Sequence, residues 1–413
     1  MKLFFNKKKD YEGLGSLSTL AWKRFKKDAF AMSALVLIAI VTFTSILGYL
    51  ITPDSTPFSN DQHLELAAKK TGFSITTLKV RKSQVTDNTG FFQKMISGKK
   101  GDYSYIPIYS WHFEDLFIVT EDYTGDKPND GTIRKFNIAS VAFPLAADEN
   151  QIKNNNGQLD FTDITGKKHN ISISELKSKI EKENIIKKKY ILGTDRYGRD
   201  MLSQLIIGAR VSLSVGFISV IISLIIGIIL GALSGYFRGW VDNLIVWFIN
   251  VVWSIPTLLL VIAITFALGK GFWQVFVAVG LTMWVDVARV VRGQFMSIRE
   301  KEFVEAGKAL GFTNFRIIFK HILPNVMSPV IVISSANFAS AILIEAGLSF
   351  LGIGVQPPMP SWGTMIKEHY AHIILNSPHL AILPGIAIML MVLSFMLIGN
   401  GLRDALDTRS VNR

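Results

Sequence analysis

Glu368, His369, His372 and His379 are the nearest this sequence comes to a set of metal ligands, since side chains at i and i+3 on a helix can share an ion. The pairing is single and loose, and we read the stretch as an interfacial helix. No cysteine is present, which excludes disulfides, thiolate metal sites and cysteine nucleophiles. A phosphate-cradling loop needs Gly, four residues, then Gly-Lys-Ser/Thr. Here Gly166-Lys167 is followed by Lys168, and Phe161 stands where the first glycine belongs. No nucleophile–histidine–acid motif appears either. Asp286 and Glu345 lie within or at the edge of long apolar runs, where a central charge costs roughly 2.5–3.5 kcal/mol on insertion scales. Each must face protein, water or a pairing cation. For Asp286 the expectation is a pair with Arg289, one turn on and near the inner interface. For Glu345 it is an interhelical hydrogen bond, with lining a pathway as the alternative. The residue types predict no bond chemistry and no bound cofactor, so energy must come from another chain.

The elements that position these residues are apolar. Of 413 residues, 49% are hydrophobic, the mean hydropathy is +0.33, and the apolar residues sit in long uncharged blocks. A bilayer core of about 30 Å needs roughly 20 such residues in a helix. Six blocks qualify, at about 29–51, 211–236, 244–268, 272–291, 325–350 and 380–401. Pro256 should kink the third by removing a backbone donor. The first is too long for a cleaved signal segment and is expected to stay as a span. Gly227, Gly231 and Gly235 recur every four residues in the second block, a small-residue face that lets another helix approach closely. The sequence leaves open whether that helix belongs to this chain.

The net charge of +12 does not indicate nucleic acid. Between Thr52 and Tyr190 there are 20 Lys+Arg against 18 Asp+Glu, so most of the excess flanks the apolar blocks, as at Lys7, Lys8, Lys9, Lys23, Arg24, Lys26 and Lys27. Such residues set orientation and meet anionic lipid head groups. A cytoplasmic N-terminus (1–28) then places Arg238, the 292–324 loop and the 402–413 tail in the cytoplasm, with 52–210 and about 355–379 outside. Residues 52–190 are expected to form a small α+β domain, with helices at His63–Thr71 and Ser174–Asn184. Strands are expected at Ile75–Lys82, Tyr103–Thr120 and Arg134–Phe143, with turns at 126–131 and 154–157.

The stretch from Glu300 to Asn325 is amphipathic and too short to span. Phe303, Ala306 and Leu310 share one helical face, while Glu302 and Glu305 lie on another. Gly311 suits the left-handed residue that ends a helix, Thr313 caps a second short helix, and Pro324 is expected to stop that one. The spacing Glu305-Ala306-Gly307, three residues, Gly311, nine residues, then His321-Ile322-Leu323-Pro324 resembles the EAA loop of bacterial ABC-importer permeases. Gly307 replaces the usual second alanine while staying small, and His321 stands where a branched apolar residue is usual. Leu192–Asp200 with Gly208–Leu213, and Glu345–Gly354 with Pro360–Gly363, resemble the C-type subunit of dipeptide and oligopeptide permeases. In the first of these runs Asp195 and Asp200 are expected to pair locally with Arg196 and Arg199, with Arg210 snorkelling to the outer interface.

The resemblance implies an all-α polytopic membrane protein: a span at 29–51, a five-helix permease core at 191–401 and an inserted extracytoplasmic domain at 52–190. It implies a homologous second permease subunit, two ATPase subunits carrying ATP and Mg, and an extracellular solute-binding protein as partners. Glu305, Ala306, Gly307, Gly311, His321, Leu323 and Pro324 would form the ATPase-coupling loop, and a di- or oligopeptide would be the solute. Relatives with the same motifs import nickel or another small solute, which is the alternative. A secondary transporter would need ion-coupling acids in broken helices and leaves the loop unexplained. A receptor would need one span, not six.

Overall fold

The computed structural model describes residues 17–84, 90–125, 127–145, 152–155, 157–269, 271–375 and 377–407. Lys7, Lys8 and Lys9, Asp126 of the first expected turn and Asn156 of the second lie outside the described residues. Two compact units result, one of residues 1–42, 211–356 and 385–413, the other of residues 43–210 and 357–384.

Helix α1 (Leu17–Phe25) precedes α2 (Ala29–Ile51). The second unit then forms two antiparallel sheets. Strands β1 (Ser74–Arg81), β2 (Tyr103–Glu114), β3 (Phe117–Asp122), β4 (Ile133–Asn137) and β8 (Ile185–Lys189) run in the order β4-β3-β2-β1-β8. Strands β5 (Lys153–Asn155), β6 (Gln158–Thr162) and β7 (Lys168–Ser172) form the other. Helices α3 (Phe91–Ser97), α4 (Ile138–Ala142) and α5 (Ile173–Lys179) complete this stretch. Leu78, Ile108, Ile118, Ile138, Leu159, Phe161, Leu176 and Ile180 make its apolar core, which supplies the stability that disulfides give other small domains.

Three local expectations fail here for identifiable reasons. Tyr103–Thr120 is two strands, because Asp115 takes a positive φ of 47° and turns the chain between them. Arg134–Phe143 begins as a strand but turns helical at Ile138, where the Asn137 carboxamide accepts the Ala139 N–H at 2.9 Å. That N-cap outweighs the strand propensity of the β-branched residues after it. His63–Thr71 forms a single 3₁₀ turn, Leu64–Leu66, because Ala68 at φ 53° breaks the run.

The remaining helices are α6 (Met201–Phe237), α7 (Gly239–Trp253), α8 (Thr257–Leu268), α9 (Phe272–Arg299), α10 (Glu302–Ala309), α11 (Asn314–Arg316), α12 (Leu323–Phe350), α13 (Trp362–His369) and α14 (His379–Leu406). Helix α6 starts at Met201, well before the apolar block, and its 37 residues extend about 55 Å. Among the described residues, five continuous helices are long and apolar enough to cross a bilayer, and α7 with α8 would make a sixth. Those two are bent by 92°, a full break at Ser254-Ile255-Pro256 where a kink was expected. Proline cannot donate the backbone bond that would continue α7, and Pro256 instead becomes the residue before α8. Helix α9 is the most enclosed of these candidate spans, with Val275, Phe276, Val279, Val287, Val291 and Phe295 all buried.

Candidate functional site

The segment joining α9 to α12 has one buried and one exposed face. Val304 of α10, Ile317 and Ile322 pack with Ala232 and Tyr236 of α6, Val287, Val291 and Phe295 of α9, and Val326 of α12. Phe303, Leu310, Phe315 and Phe319 point outward, Leu310 at 73% exposure, and Glu305 and Ala306 are exposed beside them. Exposed apolar side chains next to small and acidic ones form a surface suited to a protein partner. Gly311 takes φ 76°, the left-handed conformation that closes α10, and the Thr313 hydroxyl accepts the Arg316 N–H at 3.4 Å.

Gly307 faces inward. A Cβ there would meet the Phe312 ring at 3.4 Å, ordinary contact, so the site also has room for alanine. Phe312 stacks on His321 with ring centroids 5.6 Å apart, and the Arg316 guanidinium covers Phe312 at 4.0 Å. His321 therefore fills an aromatic role where a branched apolar residue would pack. Pro324 does not stop a helix. The chain runs from Asn314 to Phe350 as one 37-residue helix, with a π turn over Ile317–Ile322 and Pro324 at the start of α12 beside Leu323. The wider turn accommodates a residue that has no N–H to give and whose ring would crowd the carbonyl four residues back.

The glycine stripe faces this chain's own α9. A Cβ on Gly227 would lie 2.5 Å from Val287 Cβ, on Gly231 2.6 Å from the Ala288 carbonyl oxygen, and on Gly235 2.6 Å from Phe295 Cβ. From the other side, a Cβ on Gly280 would lie 2.7 Å from Ile222 Cβ. Below the stripe, Arg292 grips Asp242 through Nε at 2.7 Å and Nη2 at 2.8 Å, tying α9 to α7.

Glu345 is fully buried. Its carboxylate accepts from Ser212 of α6 at 3.1 Å and from Ser349, one turn along α12, at 2.7 Å. The Ser349 hydroxyl also accepts the Val355 N–H at 3.2 Å, so one short motif pins both the interhelical contact and the turn after α12. Asp286 behaves differently. It stands mid-way along α9, not near its end, and is exposed. Arg289 turns from it: its guanidinium lies 3.5 Å over the Trp253 ring and reaches Asn250 at 3.4 Å.

In the second unit Arg199 does what local pairing alone was expected to do, and more. Its Nε donates to Asp195 at 2.5 Å and its Nη2 to Glu368 at 2.8 Å. Asp195, Glu368 and His369 are close enough to hold a metal ion, but that guanidinium already bridges both carboxylates. Asp200 caps α6 through Ser203, and Arg196 lies over the Tyr197 ring. Arg210 donates to the carbonyls of Ser45, Ile46, Met95 and Ile96, joining α2 to the C-terminal end of α3, where a cation is favoured. Sequence gave no signal for these partners, which lie over a hundred positions away.

His369 is buried on α13. It shares a 2.7 Å hydrogen bond with the Met365 carbonyl through Nδ1, and Nε2 accepts the Arg196 N–H at 3.5 Å. Burial holds its pKa below the ordinary 6.5, against the opposing pull of Asp195 and Glu368. The folded state therefore favours neutral His369. Stability from this group is full above pH 6.5 and declines as pH falls below it, until the lower folded pKa is passed. Melting temperature is expected to drop between pH 7.5 and 5, less steeply in His369→Gln; equal slopes would refute this origin.

A family described as the binding-protein-dependent transport system inner membrane component matches residues 227–412. A second, the N-terminal TM domain of oligopeptide transport permease C, matches residues 16–68. The chain is 41% identical over 218 residues to the glutathione transport system permease protein GsiD of Pectobacterium atrosepticum, covering 53% of this chain and 72% of that protein. It is 44% identical over 217 residues to the dipeptide transport system permease protein DppC of Alkalihalophilus pseudofirmus, covering 52% and 71%. Among solved structures it is similar to the inward-facing MetNI methionine ABC transporter, with 18% identity, a TM-score of 0.42, and 50% of this chain and 98% of that one covered.

Proposed function

Since the chain belongs to the binding-protein-dependent transport system inner membrane component family and is a helical, multi-pass permease, we propose that it forms part of the pore of an ATP-driven importer of di- or oligopeptides. The observation that carries this is the two-faced 299–324 segment. Its inner face is packed into α6, α9 and α12, while Phe303, Ala306 and Leu310 remain outward. A partner gripping that outer face moves the spans with it. The dipeptide and glutathione permeases among its relatives support a peptide solute.

In this reading Glu305, Ala306, Gly307, Gly311, His321, Leu323 and Pro324 shape the seat for an ATPase subunit, two of which would serve this chain and a homologous permease partner. ATP and Mg belong to those subunits. Nucleotide drives transport to the extent that it binds the outward-open arrangement better than the inward-open one. The basic composition of the 292–324 loop supports a cytoplasmic position for it and, by alternation of the spans, for both termini. The α+β region at 52–190 then lies outside, where it would receive a solute-binding protein. Purification of the tagged chain with its neighbours tests the reading. ATPase subunits are expected to accompany the native chain and to be lost with Glu305→Arg, an exposed position whose change leaves the fold intact. Their absence from both preparations would refute an ATP-driven importer.

A further inference from the structure

We infer that Asp286 and Asn337 form a solute-recognition site within the pathway, taking the protonated amino terminus and adjoining carbonyl of a peptide. The inference rests on the peptide reading above and deepens it. Asp286 and Asn337 line one cavity of about 360 Å³ with Trp253, Thr282, Met283 and Ser340, within the size range of small-molecule sites. The Asp286 carboxylate is exposed there and makes no hydrogen bond or ion pair among the described residues. Its nearest cation in sequence, Arg289, is engaged with Trp253 and Asn250. An ionised carboxylate halfway along an apolar helix carries an insertion cost, and packing gives it nothing in return.

The second observation is independent. Asn337 of α12 is 5% exposed, and its amide nitrogen is buried without a hydrogen-bond partner. An unmatched buried donor costs about 1–3 kcal/mol. Two helices thus aim unmatched groups of complementary type into one space, an anionic acceptor and a neutral donor. Together they fit a ligand that carries a cation beside a carbonyl oxygen. A primary ammonium next to an amide meets that description. A divalent ion fits poorly, since the donor nitrogen of Asn337 has nothing to give it and a lone carboxylate leaves most of its coordination empty.

The test uses cells carrying the full chain with its native partner subunits and two radiolabelled probes, alanylalanine and N-acetyl-alanylalanine. Acetylation keeps the carbonyls and removes the positive charge. The native transporter is expected to favour the free amine at least about ten-fold. Asp286→Asn is expected to lower alanylalanine uptake by about ten-fold and bring the two probes within about two-fold of each other. Asp286→Glu should keep most of the preference, and the amount of assembled complex should match the native level in both. An undiminished preference in Asp286→Asn would overturn the inference, as would equal loss of both probes or loss of the assembled complex. Native cells that import neither probe would sink the peptide reading itself and this site with it.

Discussion

Replacing Gly231 with leucine is expected to leave little folded chain in the membrane. Even the first carbon of that side chain would lie 2.6 Å from the Ala288 carbonyl oxygen and 2.8 Å from Val291 Cβ, where carbon contacts settle at about 3.5–4.0 Å. The obstacle is backbone, so no rotamer change relieves it. Helices α6 and α9 must move apart, and they would lose the close approach at Gly227, Gly235 and Gly280 together. Inserting methylenes into a packed site costs typically about 1–3 kcal/mol, and here the loss extends along a whole helix pair. Against a total of about 5–15 kcal/mol, a loss of that size repeated at several contacts along the pair is enough to unfold the bundle. Gly231→Ala should lower the melting temperature measurably without abolishing expression. Ile229→Ala, at an exposed position of α6, should do little. A sharp, native-like gel-filtration peak and melting temperature for Gly231→Leu would mean the two helices do not meet this closely.

What was legible in the sequence follows from the range of the forces involved. Apolar runs are a property of consecutive residues, so the long apolar helices could be read directly; Pro256 announced a disturbance because its defect is intrinsic to the residue, but only as a kink and not as the 92° break that forms. Gly311 and Thr313 were equally plain, since a left-handed turn and an N-cap act within three or four positions. The glycine stripe revealed a close approach but not its partner, because α9 begins well over thirty residues beyond it. Pro324 misled for a subtler reason: a proline ends an α-helix, but a π turn just before it lets the helix continue, and no residue type marks a π turn. Asn137 misled in the opposite way, a cap hidden inside a run with strand-forming side chains. The long-range partners of Arg199, Arg210 and Glu345 had no sequence signal at all. Asp286 shows the same limit: the sequence offered Arg289 at helical spacing, whereas the Trp253 ring, across the α7–α9 contact, takes that cation.

On the proposed function, in which the outer face of the 299–324 segment seats an ATPase subunit, Val304→Asp is expected to separate that seat from the transmission of its motion. Val304 is 1% exposed and is the α10 residue that anchors the segment among Tyr236, Phe295, Ile317 and Ile322. Burying an unpaired carboxylate there costs several kcal/mol, so α10 should lift from the bundle rather than hold the charge inside. The outward residues Phe303, Ala306 and Leu310 lie on α10's other side and keep their chemistry. An ATPase subunit should therefore still associate and hydrolyse ATP, but its movement would no longer reach α6, α9 and α12. Uptake is expected to fall by about 100-fold, equivalent to about 2.7 kcal/mol, while hydrolysis falls much less, so ATP consumed per solute imported rises steeply. Phe303→Asp alters only the exposed face and should act earlier, removing the ATPase and its hydrolysis together with uptake. Proportional loss of hydrolysis and uptake in both variants would show that seating and transmission cannot be separated, and that the inner face of α10 contributes no more than the stability of the seat.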